Sequence, residues 1–122
     1  MRKVLATAVV ILSLCAGTAA AALVPPFPRI PGTWSHAELN VTIGGVPHTL
    51  ILDRGRIIQV SSTELKLRER DGSIAVIHLK QSTIVRINGF GATIYDLRRG
   101  MRAETMRIDG GAAVRVRATT VL

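Results

Sequence analysis

From residue 37 onward, apolar and polar side chains alternate with a period of two, the pattern of half-buried strands. Ala37, Leu39, Val41 and Ile43 alternate with Glu38, Asn40 and Thr42, and Gly44-Gly45-Val46-Pro47 then turns the chain. A second strand is expected over 49–53, and Gly55-Arg56-Ile57-Ile58-Gln59-Val60 starts another. Ser61-Ser62 leads into Glu64 to Arg70, where Leu65 and Leu67 should face a core while Glu64, Lys66, Arg68 and Arg70 face water. Asp71-Gly72 is the strongest hairpin signal, because both central positions of a type I′ turn need positive φ. The return strand is 73–79, and 83–87 forms the next, followed by a turn at Asn88-Gly89-Phe90-Gly91. One helical turn is expected near 93–98, with Thr93 as cap, Asp96 as its capping-box partner and Gly100 as the stop. Two final strands, about 101–108 and 113–121, are joined by Asp109-Gly110-Gly111.

Six to seven short antiparallel strands at regular spacing predict an all-β, single-domain fold. A closed barrel is favoured over a sandwich, since a chain this short closes one sheet more easily than it fills two. The alternation does not extend to the N-terminus. Met1-Arg2-Lys3, an uncharged run from Val4 to Val24 and the small residues Ala16 to Ala22 read as a signal peptide over 1–22. The run could also span a bilayer as a retained helix, but the alanine-rich end and the absence of a basic stop favour cleavage. A lipid anchor at Cys15 is disfavoured, because Leu14 stands where a small residue is required. Residues 23–35, with prolines at 25, 26, 28 and 31, read as an extended spacer, leaving 36–122 as the barrel domain. The spacing Pro25-x-x-Pro28-x-x-Pro31 would also suit a polyproline ligand.

Composition then narrows the chemistry. With the signal removed the chain has no cysteine, hence no disulfide, thiol nucleophile or thiolate metal site. Loss of Arg2 and Lys3 leaves 14 basic residues against 8 acidic, a net charge of +6 with histidine neutral. Thirteen of the 16 basic residues of the full chain are arginine, whose planar fork suits phosphate, sulfate and carboxylate. Period two places Lys66, Arg68 and Arg70 on one strand face and Arg115 and Arg117 on another, with Arg98, Arg99 and Arg102 around the helical turn. These eight form a candidate basic stripe, to be weighed against a simple solvated face interleaved with Glu64, Glu69 and Glu104.

The segment from Gly55 to Thr119 resembles an uncharacterised bacterial family of short exported OB-like β-barrel domains. The features that carry the resemblance are Gly55-Arg56-Ile57, Leu65-Lys66-Leu67, Asp71-Gly72, Ser82-Thr83-Ile84 and the stretch from Asp96 to Arg102. The resemblance implies a small barrel outside the cytoplasm and implies no activity.

Enzymatic chemistry finds little support. His36, His48 and His78 stand 12 and 30 residues apart, with neither His-x-His nor His-x-x-x-His, so no metal or cofactor is expected unless the fold assembles histidines at long range with Asp53. The serines occupy turns, and no Gly-x-Ser-x-Gly elbow is present. The expected protein is therefore a periplasmic or secreted binding or structural module, held at the inner membrane only if the signal is uncleaved. Candidate partners are an anionic envelope polymer, a lipid headgroup or an envelope protein. Nucleic acid is disfavoured, because few aromatics are left outside the spacer to stack on bases.

Overall fold

A computed structural model describes residues 4–5, 10–12 and 24–121. Ten strands are described: β1 (Val4–Leu5), β2 (Val10–Leu12), β3 (His36–Ile43), β4 (Val46–Val60), β5 (Glu64–Arg68), β6 (Ile74–His78), β7 (Ile84–Ile87), β8 (Phe90–Ala92), β9 (Arg102–Ile108) and β10 (Ala113–Thr119). They join in one sheet of order β1-β3-β4-β9-β10-β7-β8, with β5 and β6 continuing from β4. Among the described residues the fold is all-β with one 3-10 turn at Ile94–Asp96. The expected signal peptide falls for the most part outside the described residues, as does Cys15. Its two described fragments, β1 and β2, run parallel to the outer edge of β3. Among the described residues no helix is long and apolar enough to cross a membrane.

β4 organises the molecule. The sequence pattern divides it at residue 54, but it runs unbroken for 15 residues and pairs in turn with β3, β9 and β5. Gly55 permits this. A Cβ there would sit 2.5 Å from the backbone carbonyl oxygen of Arg68, so only glycine lets β5 approach at the point where β4 changes partner. A bulge between Ile57 and Gln59 follows at once and bends the strand.

The barrel expected from the sequence does not close. Among the described residues β6 pairs only with β5, and β8 only with β7, leaving the sheet open between them. The pairing is also not wholly antiparallel, because β7 lies parallel to β10. An open, curled sheet of this kind is consistent with an OB-like fold.

The paired positive φ values expected at Asp71-Gly72 occur instead at three other turns expected from the sequence. Gly44-Gly45, Asn88-Gly89 and Asp109-Gly110 each have two consecutive positive φ values, and Ile43 pairs with Val46 and Ile87 with Phe90 across two-residue loops. Asn88-Gly89 therefore turns directly into a short strand, β8, which the sequence pattern assigns to the turn. At Asp71-Gly72 only Gly72 is positive. The loop there is longer, closed by Gly72 N–H donating to Glu69 O, and Asp71 instead accepts from the backbone N–H and hydroxyl of Ser73. The expected cap at Thr93 forms, with its N–H and hydroxyl both donating to Asp96 Oδ2.

Two hydrophobic clusters lie on opposite faces of the sheet. On one face Ile57, Leu65, Leu67 and Ile77 are fully buried against Leu97, Val116, Ala103 and Ala118, each large side chain contributing roughly 1.5–3 kcal/mol. On the other face Ala37, Leu39, Val41 and Ile43 pack with Leu50, Leu52 and Met106 under Trp34. The 36–53 hairpin thus belongs to the sheet. Residues 24–34 form no strand, yet Val24, Phe27 and Ile30 pack against this second cluster, and Trp34 is 3% exposed.

Candidate functional site

The face that carries the second cluster becomes ionic where β4 passes Leu52. Strand register brings arginines from distant segments into rows, because residues opposite one another point the same way. In one row Arg56 of β4 is opposite Arg68 of β5 and Arg102 of β9. Among the described residues none of these three side chains has a hydrogen-bond or ion-pair partner. Two positions along, Arg54 of β4, Glu104 of β9, Arg117 of β10 and Arg86 of β7 form a second row. Here Glu104 Oε1 accepts from Arg117 at 2.6 Å and from Arg54 at 3.4 Å, while Glu104 Oε2 is buried with no partner among the described residues.

These rows floor a groove of about 1010 Å³. The N-terminal segment forms one wall with Pro26, Phe27, Arg29 and Trp34, and the end of β5 with its turn contributes Arg68, Glu69 and Arg70. Nine arginines and two glutamates line it. Its two aromatic rings are engaged: the Arg54 guanidinium lies 3.8 Å from the centroid of Trp34, and that of Arg117 lies 4.4 Å from Phe27. Arg115 donates to the backbone carbonyls of Pro25 and Val24, tying the wall to the floor.

Of the basic stripe expected from sequence, Arg68, Arg70, Arg102, Arg115 and Arg117 line this groove. Lys66, Arg98 and Arg99 do not. Lys66 faces Glu64 at 3.9 Å, and Arg98 donates to the carbonyls of Tyr95 and Leu97. The pattern misses Arg29, Arg54, Arg56 and Arg86. Arg54 and Arg56 carry the same period-two signal as Arg68 and Arg70, but it is hidden when β4 is divided between them. Arg29 falls in the expected spacer and Arg86 stands alone in a four-residue strand, so neither has a pattern to reveal it.

A second polar constellation lies on the opposite face. His36 is opposite Asp53 in the β3–β4 register, and its Nδ1 lies 2.8 Å from Asp53 Oδ1 while Nε2 lies 2.8 Å from Glu38 Oε2. Glu69 reaches the same place from the end of β5. Burial of His36 would lower its pKa, but hydrogen bonds to Glu38 and Asp53 and their negative charge outweigh it, holding the pKa above 6.5. Glu69 is pushed up to about 7, chiefly by burial and then by its hydrogen bond and repulsion with Asp53, against smaller opposing effects of Ser73 and His36. Arg107 Nη2 reaches Asp53 Oδ2 at 3.4 Å. The long-range meeting of His36 with Asp53 is therefore present, whereas His48 pairs with Asp109 at the surface and His78 is exposed on β6.

Compared with known proteins, the chain matches no family, no curated protein and no solved structure.

Proposed function

We propose that this protein is a non-enzymatic binding module of the cell envelope whose arginine groove holds a linear anionic polymer. The observation that carries the reading is the row Arg68, Arg56, Arg102, three like charges opposite one another on adjacent strands, none with an ion-pair partner among the described residues. Like charges so placed oppose folding. Sulfate, phosphate or carboxylate groups laid along the row would replace repulsion with charge-assisted hydrogen bonds, and an open groove accepts a chain of them. Stacked guanidinium groups already cover Trp34 and Phe27, which favours a polymer without bases over single-stranded nucleic acid. The basic start, apolar run and alanine tail of residues 1–22 support an address outside the cytoplasm. The resemblance to exported OB-like domains agrees with that address and adds no activity.

The test is affinity for heparin and long-chain polyphosphate across a salt series, beside phosphatidylglycerol vesicles and a single-stranded oligonucleotide. Binding to a polymer should fall steeply with salt. The double variant Arg56→Gln, Arg102→Gln should bind at least about tenfold more weakly, since each charged hydrogen bond contributes roughly 1.5–3 kcal/mol. Salt-independent binding, or equal affinity of the double variant, would remove the basis for the proposal. Preference for vesicles would move the ligand to a lipid headgroup. Arg115 and Arg117 are poorer choices for this test, because both also hold the groove together.

A further inference from the structure

We propose that His36, Asp53 and Glu69 bind a divalent transition-metal ion of the zinc class. The inference goes beyond the groove reading and does not depend on the arginine rows, although one of its residues, Glu69, also borders the groove. One ligand atom from each lies within 4.8 Å of the other two, and all three are held by elements brought together only by the fold: the start of β3, the middle of β4 and the end of β5. Donors around a tetrahedral zinc ion, with bonds of about 2.0–2.1 Å, stand about 3.3 Å apart. His36 Nδ1 and Asp53 Oδ1, now 2.8 Å apart, would therefore open slightly, and Glu69, whose ligand atom lies within 4.8 Å of both, would adjust to the same spacing. Such shifts are within the reach of side-chain rotation.

The surroundings suit a metal ligand set. Glu38 Oε2 lies 2.8 Å from His36 Nε2, so with Nδ1 on the metal the Nε2–H donates to a carboxylate, the arrangement that orients metal-bound histidines. Arg107 occupies Asp53 Oδ2 and leaves Oδ1 for the ion. Ser73 Oγ donates to Glu69 Oε1 at 3.3 Å. One imidazole and two carboxylates favour zinc, or a neighbouring first-row ion, over magnesium and calcium, which prefer all-oxygen shells. Three protein ligands leave a position for water or an anion.

The experiment is calorimetric titration of the full chain, first stripped by a chelator, with Zn²⁺ and separately with Mg²⁺. One equivalent of Zn²⁺ should bind, with Mg²⁺ much weaker. His36→Gln and Glu69→Gln should weaken Zn²⁺ by at least tenfold, while His48→Gln, which alters the surface pair with Asp109, should not. Absence of stoichiometric Zn²⁺ uptake, or uptake unchanged in both variants, overturns the proposal. Should both variants unfold, the ring resonances of His36 in the unsubstituted chain decide: a Zn²⁺-dependent shift at His36 and not at His48 supports the site, and an unmoved His36 overturns it. Running the polyanion series in chelator keeps the two readings separate, since the groove can bind its ligand whether or not this site holds metal.

Discussion

The two faces of the sheet are each half apolar and half ionic, but the halves are reversed. On the groove face the apolar part lies by β3, under Trp34, and the ionic part lies toward β5 and β7. On the other face the apolar part lies toward β5 and β7, and the ionic part is the His36 cluster by β3. The difference lies in charge balance and solvent. The groove carries nine arginines, largely at the surface, against Glu104 and, at its border, Glu69, which it shares with the His36 cluster. Around His36 acidic groups, Glu38, Asp53 and Glu69, are interleaved with His36 and Arg107, and the central groups are buried, Asp53 at 2% exposure and Glu69 at 6%. Unbalanced, solvated charge can exchange water for a ligand at low cost, whereas buried balanced charge holds backbone segments in place and resists change.

Removing the cover of one face should give the largest effect. Trp34→Ala should cost about 3–5 kcal/mol in denaturant unfolding, the range for deleting a large buried aromatic, and should also loosen the wall that Arg54 stacks on. Gly55→Ala, at the point where both faces meet, should cost roughly 1–3 kcal/mol because the new methyl overlaps the Arg68 carbonyl. Within the groove, Glu104→Gln separates stability from binding. It weakens the pairing with Arg117 and Arg54, so thermal stability should fall, yet affinity for polyanion should rise because a negative charge leaves the floor. Lower affinity in this variant would argue that Glu104 orients the arginines more than it offsets them.

The opposite face should reveal itself through pH. Glu69 and His36 both have folded pKa values above their ordinary ones, so both take up protons on folding. The stability from Glu69 is fully present below about pH 4.5 and is lost as pH rises through about 7; that from His36 is present below about 6.5 and is lost above it. Melting temperature in chelator should therefore fall between about pH 5 and pH 8, and Glu69→Gln should flatten the lower part of that decline. A melting temperature that rises over this interval in chelator, with Glu69→Gln making no difference, would contradict the assignment. The smallest effect is expected outside both regions. Neutralising Lys66, Arg98 and Arg99 should leave polyanion affinity nearly unchanged and stability within about 0.5 kcal/mol.

Strand positions were legible in the sequence because alternation is a local signal: Leu65 and Leu67 are both fully buried, as their spacing requires. Sheet closure was not, because whether β6 meets β8 depends on curvature introduced by bulges and by Gly55, which leave no periodic trace. About half of the groove could be read from strands that carry two arginines two residues apart. The remainder depended on the path of β4 and on a proline-rich segment whose composition suggested a tether. The meeting of His36, Asp53 and Glu69 required the register of three strands at once, and Glu69 gave no hint of it, since it sits between two arginines in a stretch that reads as solvated.

β4 has one more consequence, which concerns cooperativity. At about 3.3 Å per residue its backbone runs roughly 50 Å along its bent path, and it is shared by the hairpin with β3, the ladder with β9 and the meander with β5. Neither hydrophobic cluster can lose its strand without withdrawing it from the other. The two clusters should therefore melt as one unit, and the amides of β4 should exchange with solvent at a common rate along its length, set by global unfolding and not by local opening.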